Sequence, residues 1–297
     1  MNIFIYTYSY DANIGGVIAL HRLCHIINTT TAHQAFLVSD KWTKPWLKRV
    51  RSKLKKKNIL GVHVGWVTPV WTKRHFPDDA VVIYPEVVEG NPLEISNVVR
   101  WLLHQPGFHT GKINYGKNEL YFKFNSAIND FKRESCKLAE NELKVIYYPI
   151  DTYINKGLIR DIECCYMVRK GKNKQHVHPK DAICLDGKSH TEIAAIFNRA
   201  KQFISYDDYT AYSLFAVLSG CESVVVPGDG VSLLDWYPDV SDRYGIAYGF
   251  DKAQRIWADQ TKHNVLEHIV NEHKKVEVCV AQCLIEMADF FQLDHQG

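Results

Sequence analysis

Between two apolar runs, the stretch YDDYTAYSLFAVLSGCESVVVP (206–227) sets Asp207, Asp208, Thr210 and Ser213 where a strand gives way to a helix. Carboxylates and hydroxyls at such a place have two uses. They can cap the helix, with Thr210 or Asp208 as the N-cap accepting from its first free N–H groups. They can also meet a ligand. Helix N-termini beyond the carboxyl ends of parallel strands carry unpaired N–H groups and about half a positive charge, which suits phosphate. Ser213 and Tyr212 lie in the first turn, where hydroxyls reach such a ligand. Leu214, Phe215 and Leu218 would hold the helix on a sheet, and Gly220 would end it.

The elements that position this stretch can be read from periodicity. Continuous apolar runs predict strands at 2–8, 35–39, 61–67, 80–84, 98–103 and 119–124, then at 164–168, 182–187, 202–206 and 244–249. Runs of this kind suit parallel sheets buried on both faces. VIALHRLCHIIN, after Gly15 and Gly16, has helical spacing. Ser189 and Glu192 form a capping box for a helix that buries Ile193, Ile196, Phe197 and Ala200. Residues from about Trp257 to Phe291 predict a helical tail without glycine or proline. The expected class is α/β, with two Rossmann-like doubly wound domains facing each other across a cleft. The expected domains are 1–150 and 151–275, with a C-terminal helix at 276–297.

The order EIAAIFNRAKQFISYDDYTAYSLFAVLSGCESVVVP resembles the nucleotide-sugar domain of GT-B glycosyltransferases, above all bacterial enzymes of lipopolysaccharide or capsule polysaccharide synthesis. The likeness covers the C-terminal half well and the N-terminal half loosely. It implies that Asp207, Asp208, Thr210 and Ser213 line a nucleotide-sugar site. It also implies that Arg169 and Lys172, in RKGK after an earlier strand, neutralise the donor diphosphate. Fixed cations stabilise the charge that grows on that leaving group; the alternative is a solvated basic loop. The chain departs from the family at one point. Many retaining members carry two glutamates eight apart here, and this chain has Asp207 and Phe215.

Gly15 and Gly16 leave room for backbone N–H groups to approach a phosphate or sugar, and the family has a glycine-rich loop at this place. His104 ends a strand where related enzymes contact the transferred sugar; a structural histidine is the alternative. If configuration inverts, a carboxylate must take the acceptor proton, and Glu86 and Asp11 are the candidates. His178–Pro179 resembles a CMP-binding motif of bacterial sialyltransferases.

The segment KWTKPWLKRVRSKLKKKN (41–58) would, as a helix, oppose a Trp42, Trp46, Val50, Leu54 stripe to a cationic face. Such a helix suits an anionic membrane surface, or it packs on the sheet through its tryptophans. No nucleic-acid module accompanies it.

The 297 residues fit two domains of ordinary size, and the formal net charge of +3 makes the whole molecule no polyanion binder. No apolar run approaches the roughly 20 residues that span a bilayer. The first residues lack a signal-peptide pattern and are expected to form a buried strand. The eight cysteines read as reduced, buried thiols of a cytoplasmic protein. Cys279 and Cys283 could bind a metal or fill a core, and neither a C-x-x-C pair nor H-E-x-x-H occurs. The resemblance implies a metal-independent glycosyltransferase without a cofactor. It would move a sugar from a nucleotide-sugar to a glycan or lipid-linked acceptor, in the cytoplasm or peripherally at the inner face of the membrane. A sugar-nucleotide epimerase and a non-catalytic nucleotide-sugar or polyanion-binding protein remain as alternatives.

Overall fold

Side chains of the first strand alternate between two cores. Ile3 and Ile5 enter one apolar cluster, Phe4 and Tyr6 another. A strand reads this way when both faces of its sheet are buried. The computed structural model describes residues 1–39 and 60–293. The segment 41–58 lies outside the described residues.

Two compact units divide the chain: Met1–Tyr147 with His273–Gly297, and Tyr148–Glu272. In the first unit, β1 (Asn2–Tyr6), β2 (Gln34–Val38), β3 (Ala80–Pro85), β4 (Asn97–Leu102), β5 (Leu120–Lys123) and β6 (Lys137–Leu138) form one parallel sheet. Its order is β2-β1-β3-β4-β5-β6. Helix α1 (Gly15–Thr30) crosses from β1 to β2 and buries Val17, Leu20, Leu23, Cys24 and Ile27.

In the second unit, β7 (Ile162–Met167), β8 (Ile183–Cys184), β9 (Ala200–Ser205), β10 (Glu222–Val225) and β11 (Ile246–Tyr248) are again all parallel. Their order is β11-β10-β9-β7-β8. Its helices are α2 (His190–Phe197), α3 (Tyr212–Leu218), α4 (Leu233–Trp236) and α5 (Lys252–Thr261). Counted from its own first strand, each sheet begins 2-1-3-4-5. Chain direction across the sheet therefore reverses between β1 and β3, and again between β7 and β9. The protein is α/β, with two Rossmann-like units and a long C-terminal helix.

That helix, α6 (Val265–Phe291), serves both cores. Val265 and Ile269 join Trp236, Ile246 and Tyr248 of the second unit. Val276, Val280, Cys283, Leu284 and Met287 complete the first unit's core with α1 and the sheet. The residues from about Trp257 to Phe291 expected to be helical lie in α5, a 3-10 turn at Lys262–Asn264 and α6, and α6 is structural to both units.

Several expectations change. Residues 61–67 form a loop, because Gly61 and Gly65 break the run and Gly65 takes φ +89°. No helix links β3 to β4, β4 to β5 or β5 to β6 among the described residues. The first two of those connections hold Gly90, Pro92, Pro106, Gly107, Gly111 and Gly116, which disfavour helix. Loop side chains such as Trp71, Phe76, Tyr115 and Ile128 cover that face of the sheet instead. The winding on that side is therefore made by loops. The Ser189–Glu192 capping box forms, but α2 stops at Phe197 and Ala200 starts β9. Of the cysteines, Cys184 is exposed rather than buried.

Candidate functional site

Carboxyl ends of parallel strands at a switch point are where α/β sheets bind ligands. In the second unit that point carries Arg169 just beyond β7 and Asp207 and Asp208 just beyond β9. Arg169 adopts φ +42°, a left-handed conformation that costs a non-glycine residue energy. The strain is held by Asp186 beyond β8, whose carboxylate accepts from the backbone N–H groups of Val168 (2.7 Å) and Arg169 (3.1 Å). The guanidinium lies over the Tyr212 ring, 5.6 Å from its centroid, with Nε 3.9 Å from Asp207 Oδ2. Burial raises the Tyr212 phenol and Arg169 opposes that rise.

Asp207 is buried and accepts from Tyr209 N–H at 3.3 Å. Asp208 pairs with Lys174 at 2.6 Å, and Lys174 also donates to the Val226 carbonyl. The Asp208 carbonyl accepts from Trp236 Nε1 at 2.7 Å. Neither carboxylate caps α3. The N-cap is Ala211, without a side-chain bond, and Thr210 Oγ1 meets only Tyr212 N at 3.4 Å. Asp207 and Asp208 thus revert from capping groups to loop carboxylates. Ser213 is buried, and its Oγ has no partner among the described residues. Lys172 is exposed.

The loop after β7 lies against Tyr206. A Cβ on Gly171 would overlap the Tyr206 carbonyl, so only glycine fits. The Tyr206 hydroxyl accepts from Val177 N (2.7 Å) and His178 N (3.1 Å), and sits 2.8 Å from His178 Nδ1. With two donors already pointing at it, the hydroxyl gives its own proton to Nδ1, which leaves Nε2 protonated on His178. That imidazole stacks on Tyr166 at 3.6 Å, and burial lowers its pKa.

In the first unit, Asp11, Gly15, Gly16, Glu86 and His104 all follow strands β1, β3 or β4 at their carboxyl ends. Asp11 Oδ1 accepts from Asn13 N at 2.8 Å in the turn before α1. Gly15 and Gly16 begin α1, whose N-cap Ile14 makes no side-chain bond. A Cβ on Gly15 would meet open space, so backbone access there does not require glycine. Glu86 is buried and its Oε2 accepts from Leu103 N at 3.1 Å. Burial raises its pKa, and backbone N–H groups hold the rise in check. His104 Nδ1 accepts from Gln105 N at 2.8 Å, so its Nε2 carries the ring proton.

Each unit thus gathers its own candidates at its own switch point. Lys174, Asp186 and Tyr206 were missed by sequence reasoning. RKGKNK offers several cations, and nothing in the string selects the one that reaches Asp208. Asp186 lay in plain view at a strand end, the same signal that marked Glu86.

Cys279 donates to the Glu142 carbonyl at 2.9 Å, and its hydrogen bond with Cys283 lowers its pKa to about 7. No group of three or more metal-binding side chains occurs among the described residues. No described helix is long and apolar enough to cross a membrane. A cavity of about 920 Å³ opens at the amino ends of β9 and β10, beside α5. It lies at the end of the sheet opposite Arg169 and Asp207, and the pairs Arg255–Glu222 and Lys262–Asp259 occupy its wall.

The fold and the strand-end sites define a Rossmann-like α/β protein with a candidate ligand-binding end on each unit. No family model matches the chain, and no curated protein matches it.

Proposed function

We propose that the chain is a glycosyltransferase of the GT-B kind, with the donor nucleotide-sugar on the second unit and a glycan or lipid-linked acceptor on the first. One observation carries the reading. At the β7/β9 switch point Arg169, with its left-handed backbone, holds a partly exposed guanidinium whose ion pair among the described residues is a loose one, 3.9 Å from Asp207. A fixed cation in that position suits the oxygens of a diphosphate.

The chemistry follows. If configuration inverts, an acceptor hydroxyl oxygen attacks the anomeric carbon, the bond from that carbon to the diphosphate breaks, and a carboxylate takes the hydroxyl proton, Glu86 being the candidate. A desolvated carboxylate with a raised pKa suits that proton transfer. Arg169 meets the charge left on the diphosphate, with Lys172 as a second, exposed cation. Lys174 is already used by Asp208. A lipid-linked acceptor and a place at the inner face of an anionic membrane rest on residues 41–58, outside the described residues.

The test is nucleotide release from UDP-, GDP-, dTDP-, ADP- and CMP-sugars by the purified protein. One donor should be turned over, and Arg169→Ala and Glu86→Gln should each slow it by about a hundredfold or more. Binding of a nucleotide without any turnover, with or without sugar acceptors, would leave only a binding protein.

A further inference from the structure

The carboxyl end of the first sheet exposes aromatic rings on either side of Glu86. Phe108, after β4, is 67 % exposed, the most exposed phenylalanine, tyrosine or tryptophan among the described residues. Tyr8, after β1, is 49 % exposed. Exposing a large ring forfeits apolar burial, and a loop free to move would tuck it in.

The Phe108 loop is held open by its own bonds. Phe108 N donates to Gln105 O (3.1 Å), Gly111 N to Gly107 O (2.7 Å) and Gln105 Nε2 to Ala127 O (3.2 Å). Gly107 takes φ +78°, and a Cβ there would crowd the Ile113 side chain. The ring rests on His104 at 4.1 Å between centroids and meets the His109 ring edge-on at 5.0 Å. His104 keeps its Nε2–H free to donate, because Nδ1 is taken by Gln105 N. His109 lies close enough to Glu86 to lower its pKa electrostatically.

From this arrangement we infer a carbohydrate-binding surface formed by Tyr8, His104, Phe108 and His109 around Glu86. The inference rests on the glycosyltransferase reading and names its acceptor as an oligosaccharide end. A pyranose has a face of C–H bonds that suits the electron-rich face of an aromatic ring, and an equator of hydroxyls that suits imidazole N–H donors. The surface offers both, next to a carboxylate that can accept a hydroxyl proton. Strands β1 and β4 flank β3, so Tyr8 and the Phe108 loop leave the sheet about 10 Å apart at ordinary strand spacing. That distance favours two linked rings over one.

Saturation-transfer NMR with the full chain tests this, using methyl pyranosides and their β-linked and α-linked disaccharides without nucleotide. Transfer to ring C–H protons is expected, stronger for a disaccharide than for its monosaccharide. Phe108→Ala and Tyr8→Ala should each weaken binding about tenfold, Phe108→Trp should retain it, and none should shift the melting temperature. Unchanged binding in both alanine variants overturns the assignment, as does the absence of transfer from every sugar. Nucleotide binding measured on the same samples separates the two readings. Nucleotide bound without sugar leaves the transferase and removes this surface. Sugar bound without nucleotide keeps this surface and removes the transferase.

Discussion

At the residue scale the second unit's site depends on atoms that leave no room for choice. Gly171 admits no side chain because the Tyr206 carbonyl occupies the place of a Cβ. Gly171→Ala should therefore destabilise the protein by about 3 kcal/mol or more, measured by urea unfolding. Glu86 makes a prediction with a definite sign. Its unfolded carboxyl titrates near the ordinary 4.5, and burial raises the folded value. Between the two the folded state holds more protons, so stability falls as pH rises through that window. Glu86→Gln removes the loss, so its stability relative to wild type should climb from pH 4 to pH 7. A difference that stays flat with pH would show that the carboxylate is not strained by burial.

At the element scale, the loop after residue 60 is latched to α1 by a bond that needs a neutral imidazole. Val67 N donates to His25 Nδ1 at 3.0 Å, and Asn28 Nδ2 donates to Val67 O. Trp66 and His63 stack at 4.0 Å beside it, with Arg22 over the Trp66 ring. Burial, Arg22 and His63 all lower the His25 pKa below its ordinary 6.5. As pH falls through that value the unfolded chain gains its proton first, so this part of the stability is lost on acidification. The protection factor of the Val67 amide should drop between pH 7 and pH 5.5. His25→Ala should show the low protection already at pH 7.

This loop also marks the limit of what the string could disclose. GVHVGWV reads as an apolar strand run, but Trp66 lies on His25 and Arg22 of α1 rather than on the sheet, and that is a tertiary fact. Strand positions were legible because β1, β3, β4, β5 and β10 carry apolar runs and β9 ends in one. The covering of one face of the first sheet was not, because aromatic loops do there what helices usually do. In the second unit Arg169, Asp207 and Asp208 were legible as strand-end residues. The pairing of Asp208 with Lys174 depends on how one loop lies over β9 and β10. No local pattern encodes that.

At the scale of the whole molecule, α6 makes the two units unequal. Val276, Val280, Cys283, Leu284 and Met287 are buried in the first unit's core, and the four besides Cys283 each contribute about 1.5–3 kcal/mol. Glu286 adds bonds to the backbone N–H groups of Glu140 (2.9 Å) and Asn141 (3.3 Å). A chain ending at Tyr147 should therefore fail to fold, while adding residues 273–297 as a separate segment should restore its far-UV and near-UV circular dichroism. Recovery of a native spectrum without that segment would show the helix to be dispensable.

The central claim, a nucleotide-sugar site at the β7/β9 switch point, is tested most directly by thermal unfolding with UDP, GDP, dTDP, ADP and CMP on wild type and Arg169→Ala. Ligand at a hundredfold excess over its Kd adds about 2.7 kcal/mol of apparent stability. The account predicts that one nucleotide raises the melting temperature of the wild type and leaves that of Arg169→Ala unchanged. No shift with any nucleotide, or an equal shift in both proteins, would contradict it.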